Sequence, residues 1–166
     1  MPEHTLHCTL TLDLPRATVF DFFADAANLG RLAPPELSFA ILTPLPIEMN
    51  EGALIEYRMK LHGFAFNWKT RISAWSPPDY FIDEQLEGPY RQWIHRHTFS
   101  DGPHGSTVVV DEVRFRLPMA PLGEAVYPMV SKQLERIFLY RQEAITAILL
   151  PGSDTSPEPI GTLDIV

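Results

Sequence analysis

Residues 88–118, GPYRQWIHRHTFSDGPHGSTVVVDEVRFRLP, decide how this chain folds. Two runs of alternating character flank the breaker cluster Asp101-Gly-Pro-His-Gly105, the pattern of an antiparallel hairpin. In the first run Trp93, His95, His97 and Phe99 share one side. In the second, Thr107, Val109, Asp111, Val113 and Phe115 form the more apolar side, while Glu112, Arg114 and Arg116 suit water. A turn closed on 101–105 places residues whose numbers sum to about 206 opposite one another, so His95 is expected to meet Asp111, His97 to meet Val109 and Trp93 to meet Val113. Two imidazoles and a carboxylate then share an inside face with aromatic residues, which is costly unless they hydrogen-bond.

Working outward, residues 4–14 alternate as a strand, and Pro15 opens a segment with Val19, Phe20, Phe23, Ala27 and Leu29 at roughly helical spacing, stopped by Pro34-Pro35. Further strands are expected near 38–43, 53–62, 64–75, 79–87, 90–100 and 106–117, punctuated at 50–52, Gly63, Pro77-Pro78 and Gly88-Pro89. After Pro118 and Gly123 the period changes. Val126, Val130, Leu134, Ile137, Phe138, Ile145 and Ile148 stripe one long helix reaching about residue 149, with Pro128 in its first turns. The expected class is α+β: a curved antiparallel sheet of about seven strands, short helices after the first strand, and a long C-terminal helix over the concave face. Residues 1–150 read as one domain and 151–166 as a tail, in which Ile160, Leu163, Ile165 and Val166 are the expected anchors.

Composition limits the partners. The 166 residues are 45% apolar with a formal net charge of −8, which fits one domain with a real core and disfavours nucleic acid and anionic membrane. The single cysteine, Cys8, lies in the apolar register of Leu6, Leu10 and Leu12 and reads as a small buried hydrophobe. No basic-then-apolar leader opens the chain and no apolar run approaches the ~20 residues of a spanning helix, so a soluble protein of the cytoplasm is expected. A second copy of the chain is the one macromolecular partner left open.

The inward-facing list is rich in large flat side chains: Tyr57, Met59, Phe66, Trp68, Ile72, Trp93 and Phe99, with Phe138 and Arg141 added from the helix. Either these fill a core or they line a cavity for a small hydrophobic or amphipathic molecule. Three readings of His95, His97 and Asp111 stay open: a satisfied network that sets strand register, a polar patch that orients a ligand, or chemistry. The last takes two forms, a two-His-one-carboxylate metal site and a His95–Asp111 acid/base pair for cyclisation or dehydration. No metal and no cofactor are expected, because the third ligand rests on an inferred register and aromatic walls suit an organic molecule. Asp83 with Gln85, or Glu84 if the register shifts by one, flanks the same region. Arg141 interrupts the helix stripe and either snorkels to water or neutralises a buried carboxylate or acidic ligand group.

These residues carry a family resemblance. The Gly88-Pro89-Tyr90 turn, Trp93-x-His95-x-His97-x-Phe99, then Thr107, Asp111, Pro118, Leu122-Gly123 and the helix bearing Arg136-Ile-Phe138 and Tyr140-Arg141 resemble a bacterial group in the START-like SRPBCC superfamily, over residues 4–149. That superfamily includes lipid carriers, hormone binders and polyketide cyclases and dehydrases. The resemblance implies a helix-grip fold with a hydrophobic cavity between sheet and long helix. It transfers no catalytic residues.

Overall fold

The computed structural model describes residues 2–119, 121–152 and 164–165. Strand β1 (His4–Leu12) leads into helix α1 (Arg16–Ala24) and two short 3-10 turns, Ala26–Arg31 and Pro35–Leu37. Then come β2 (Ala40–Ile41), β3 (Leu54–Leu61), β4 (Phe64–Ser76), β5 (Tyr80–Glu87), β6 (Gln92–Asp101) and β7 (Thr107–Arg116). A four-residue helix α2 (Leu122–Ala125) precedes the long α3 (Tyr127–Leu149), and β8 (Asp164–Ile165) follows. The strands form one antiparallel sheet in the order β2-β3-β4-β5-β6-β7-β1-β8. This is the expected helix-grip α+β architecture. Among the described residues no helix is long and apolar enough to cross a membrane.

The hairpin register differs from the expected one. β6 and β7 pair on a sum of 208, with Asp101 opposite Thr107, His97 opposite Asp111, His95 opposite Val113 and Trp93 opposite Phe115. The turn takes in Ser106. Pro103–Gly105 form a 3-10 turn with His104 at φ 57° and Gly105 at φ 80°, and the Gly102 N–H donates to the Ser106 carbonyl at 2.8 Å. A two-residue shift leaves the side-chain alternation intact, so the inward face is the one anticipated even though its pairs are not.

The core has two halves. One packs Leu10, Phe20, Phe81, Phe99, Val109 and Ile145 beneath α1, and the other packs Leu6, Trp68, Trp93, Phe115, Leu134 and Phe138 toward the start of α3. Leu134, Phe138, Gln142 and Ile145 are the buried stripe of α3, and Gln142 Nε2 donates to the Thr9 carbonyl at 3.2 Å. Pro128 sits in the first turn of α3, where its missing N–H costs no helical bond. Val126, expected in the stripe, instead caps the helix and is exposed. Ile165 is half-buried against the second half-core, and its strand pairs with Leu6 and His7 of β1; Ile160, Leu163 and Val166 lie outside the described residues.

Gly123 fixes where α2 meets the end of β7. A side-chain carbon there would run into the carbonyl oxygen of Pro118 and press on Leu117. Gly123→Ala is therefore expected to cost about 1–3 kcal/mol in urea unfolding through overpacking. A change under a few tenths would show that the loop yields freely.

Candidate functional site

Alternation on five neighbouring strands, β1, β7, β6, β5 and β4, builds two rows across the concave face. One row runs Cys8, Asp111, His97, Phe81, and the next runs Leu6, Val113, His95, Asp83, Ile72, each residue opposite the next. Two register shifts between β4 and β5, at Lys69/Thr70 and Ile72/Ala74, settle what sequence left open: Asp83 faces inward, and Glu84 faces out to meet Arg71 at 3.2 Å. Gln85 does not join the cluster. Its side chain accepts from the Tyr90 N–H and donates to the Tyr90 carbonyl, tying down the Gly88–Tyr90 turn.

The polar contacts run diagonally between the rows. His95 Nε2 lies 2.8 Å from Asp111 Oδ1, and because a carboxylate only accepts, that nitrogen carries the proton. His97 Nε2 donates to Asp83 Oδ2 at 2.7 Å, and its Nδ1 lies 2.8 Å from Asp111 Oδ1 but off the N–H axis, a close charge contact rather than an aligned hydrogen bond. His95 Nδ1 is 3.9 Å from Asp83 Oδ2. Arg141 Nε approaches Asp111 Oδ2 at 3.6 Å, and its guanidinium lies over the Phe23 ring. Asp111 is thus a buried hub for two imidazoles and a guanidinium, with the Cys8 thiol behind it at 3.9 Å.

The charges follow from this geometry. Burial opposes the carboxylate at Asp111, but Arg141, His95 and His97 outweigh it and hold the carboxyl well below its usual range. Asp83 is also lowered: burial opposes, and His97 and His95 prevail, with help from Arg141. The imidazoles part company. Burial and the charge of His97 lower His95 despite Asp111, whereas at His97 burial is overcome by Asp111 and Asp83 and the pKa rises. Burial, then Asp83, pushes the Tyr57 hydroxyl up; burial chiefly does the same to the Cys8 thiol, so Cys8 stays a protonated packing residue.

Above this floor lies a cavity of about 170 Å³ between the sheet and α3. Of the anticipated residues, Tyr57, Met59, Trp68, Trp93, His95, His97, Phe138 and Arg141 line it. Three do not. Phe66 shares the inner face of β4 but sits near the hairpin tip, beside the 71% exposed Phe64, where the sheet outruns its cover. Phe99 is sealed between Phe20, Phe23 and Phe81 as core. Asp111 lies behind the imidazoles rather than on the wall. Sequence reasoning missed Phe22, Phe39, Phe81 and Tyr90 as lining residues. The Phe22-Phe23 doublet was a usable signal, since adjacent aromatics on a short helix face two sides and one must seek cover beyond the core. Within these lining residues the Trp68 Nε1–H and Arg141 Nε–H are buried without a hydrogen-bond acceptor among the described residues, Arg141 Nε resting 3.6 Å from the Asp111 carboxylate.

The family model for polyketide cyclase / dehydrase and lipid transport matches residues 12–138. No curated protein matches the chain. Among solved structures, the Zhui aromatase/cyclase from Streptomyces sp. R1128 is similar at a TM-score of 0.71 and 17% identity, over 91% of this chain and 99% of that one. Protein CV1439 from Chromobacterium violaceum gives 0.70 at 14% identity over 89% and 99%. A START superfamily protein from Mycobacterium smegmatis gives 0.65 at 12% over 87% and 99%. At such identities the likeness is one of fold.

Proposed function

Because the chain belongs to the polyketide cyclase / dehydrase and lipid transport family, we propose that it holds a compact, largely apolar molecule in the cavity between sheet and long helix, as a cytoplasmic binding protein. The observation that carries this reading is the wall itself: aromatic rings line a void between sheet and helix, with the imidazoles of His95 and His97 and the Asp83 carboxylate as its polar end. Such a wall suits a flat ligand with an oxygen at its edge. The size argues for a small one, since an engineered void of about 150 Å³ is enough for benzene.

Native mass spectrometry of freshly purified protein, looking for a retained molecule, tests the proposal directly. Trp68→Ala supplies the second test. Trp68 lines the cavity and packs against Tyr57, Tyr90 and Trp93. Its loss should weaken a fluorescent hydrophobic probe by about 10-fold or more, from ~1.5–3 kcal/mol of lost apolar contact, while the protein stays folded. Unchanged probe affinity with a large drop in stability would mean a filled core instead.

One observation favours a second reading, a cyclase- or dehydratase-type enzyme using His95 with Asp111 as acid/base. Nε2–H donates to Asp111 and the lowered pKa keeps the ring neutral, leaving Nδ1 with a lone pair. On this reading His95→Gln abolishes turnover of a β-hydroxyketone probe while hydrophobic-probe binding persists.

A further inference from the structure

Asp83, His95 and His97 converge in a way that ligand binding alone does not require. One ligand atom from each lies within 4.8 Å of those of the other two, and His95 Nδ1 and His97 Nε2 approach Asp83 Oδ2 at 3.9 and 2.7 Å. We propose that these three side chains form a binding site for a divalent transition-metal ion at the polar end of the cavity, with Asp111 as the outer carboxylate that orients both imidazoles.

Two features support the assignment. The first is donor chemistry: two imidazoles and one carboxylate suit zinc, iron(II) or cobalt(II), whereas magnesium and calcium favour oxygen-only sets. The second is the outer partner. A ligating imidazole characteristically presents its other nitrogen to a carboxylate or carbonyl, and here Asp111 Oδ1 lies 2.8 Å from Nε2 of His95 and 2.8 Å from Nδ1 of His97, the nitrogens left over once Nδ1 and Nε2 face Asp83. One buried carboxylate thus stands beside both leftover nitrogens, aligned as an acceptor to His95 and off-axis at His97. An ion held there faces the cavity, where a ligand oxygen or water completes the coordination.

The rearrangement needed is small. Bonds of about 2.0–2.2 Å place neighbouring ligand atoms ~3 Å apart; the Asp83–His97 contact opens from 2.7 Å and the Asp83–His95 contact closes from 3.9 Å. The expectation of no metal rested on a third ligand at an inferred register and on aromatic walls that suit an organic molecule; with Asp83 beside both imidazoles and Asp111 behind them, the first of these grounds is removed. An ion on His95 Nδ1 also occupies the lone pair that the acid/base reading needs.

Tag-free protein, dialysed against chelator and shown folded by circular dichroism, should be titrated with cobalt(II) and then challenged with zinc(II). The expected result is one equivalent bound with visible d–d absorption, displaced by zinc. Asp83→Ala and His95→Ala should each lose the spectrum. Asp111→Asn, which keeps an acceptor oxygen, should weaken binding about 10–100-fold, and His104→Ala, on the exposed β6–β7 turn, should leave it unchanged. No saturable cobalt binding by the folded wild type overturns the proposal, as does binding that survives both Asp83→Ala and His95→Ala. Hydrophobic-probe binding measured on the same samples separates the two conclusions: probe binding without cobalt binding removes only the metal site, and the reverse removes only the apolar ligand.

Discussion

Replacing Asp111 with alanine is expected to lower unfolding free energy by about 3–5 kcal/mol, the range for removing one partner of a buried charge cluster. The residue is 4% exposed and stands against His95, His97 and Arg141 together. Without it a guanidinium and two imidazoles remain in a low-dielectric place with only Asp83 as counter-charge. The thermal midpoint should fall by roughly 10 °C for a chain of this size. Asp111→Asn retains the shape and one acceptor and should fall between the wild type and the alanine variant, which keeps the ordering measurable if the alanine protein aggregates. A loss below about 1 kcal/mol for Asp111→Ala would show that the cluster is not held through this carboxylate.

Phe99→Ala should cost a similar ~3–5 kcal/mol, for a different reason. Phe99 is 1% exposed, with ring centroids of Phe20, Phe23 and Phe81 at 5.2, 5.1 and 6.1 Å. Truncation opens a void that four packed strands and α1 cannot close. Because Phe99 stands behind Phe23 and Phe81 rather than on the wall itself, probe affinity in the fraction that remains folded should fall less than in Trp68→Ala. Urea melts and probe titrations on this variant and on Trp68→Ala should therefore show opposite patterns, and a Phe99→Ala protein with normal stability but lost probe binding would place the residue back on the cavity wall.

What could be read from sequence, and what could not, follows from the period of each signal. Alternation on β1, β6 and β7 and the stripe on α3 were legible because burial acts on every second or every third to fourth side chain, which determines faces and hence the layer arrangement. Pairings were not, because a shift of two residues leaves every face unchanged. Asp111 was correctly turned inward and wrongly matched to His95 across the ladder, although its side chain reaches His95 diagonally. Asp83 stayed ambiguous because its orientation depends on two bulges, which break the alternation that sequence reading relies on. Phe66 and Phe99 share the periodicity of true wall residues; only the reach of the helices above them distinguishes an exposed tip, a sealed core and a cavity wall. Tyr90 was hidden inside a turn, where apolar character usually carries no structural meaning.

The division of the core into two halves makes α3 a beam on two supports. Leu134 and Phe138 rest on one half and Ile145 on the other, while Arg141, between them, stands over the polar floor and the void. Lifting one end of the beam breaks contacts with one half-core only, and the other end with its Gln142–Thr9 tie remains seated. Sheet pairing along β6, β7 and β1 is untouched by such a tilt. For the proposed binding role this arrangement offers a route for guest exchange through partial release of a single element, at a fraction of the cost of global unfolding. A guest bridging the two supports would act as a wedge that stiffens the beam along its length.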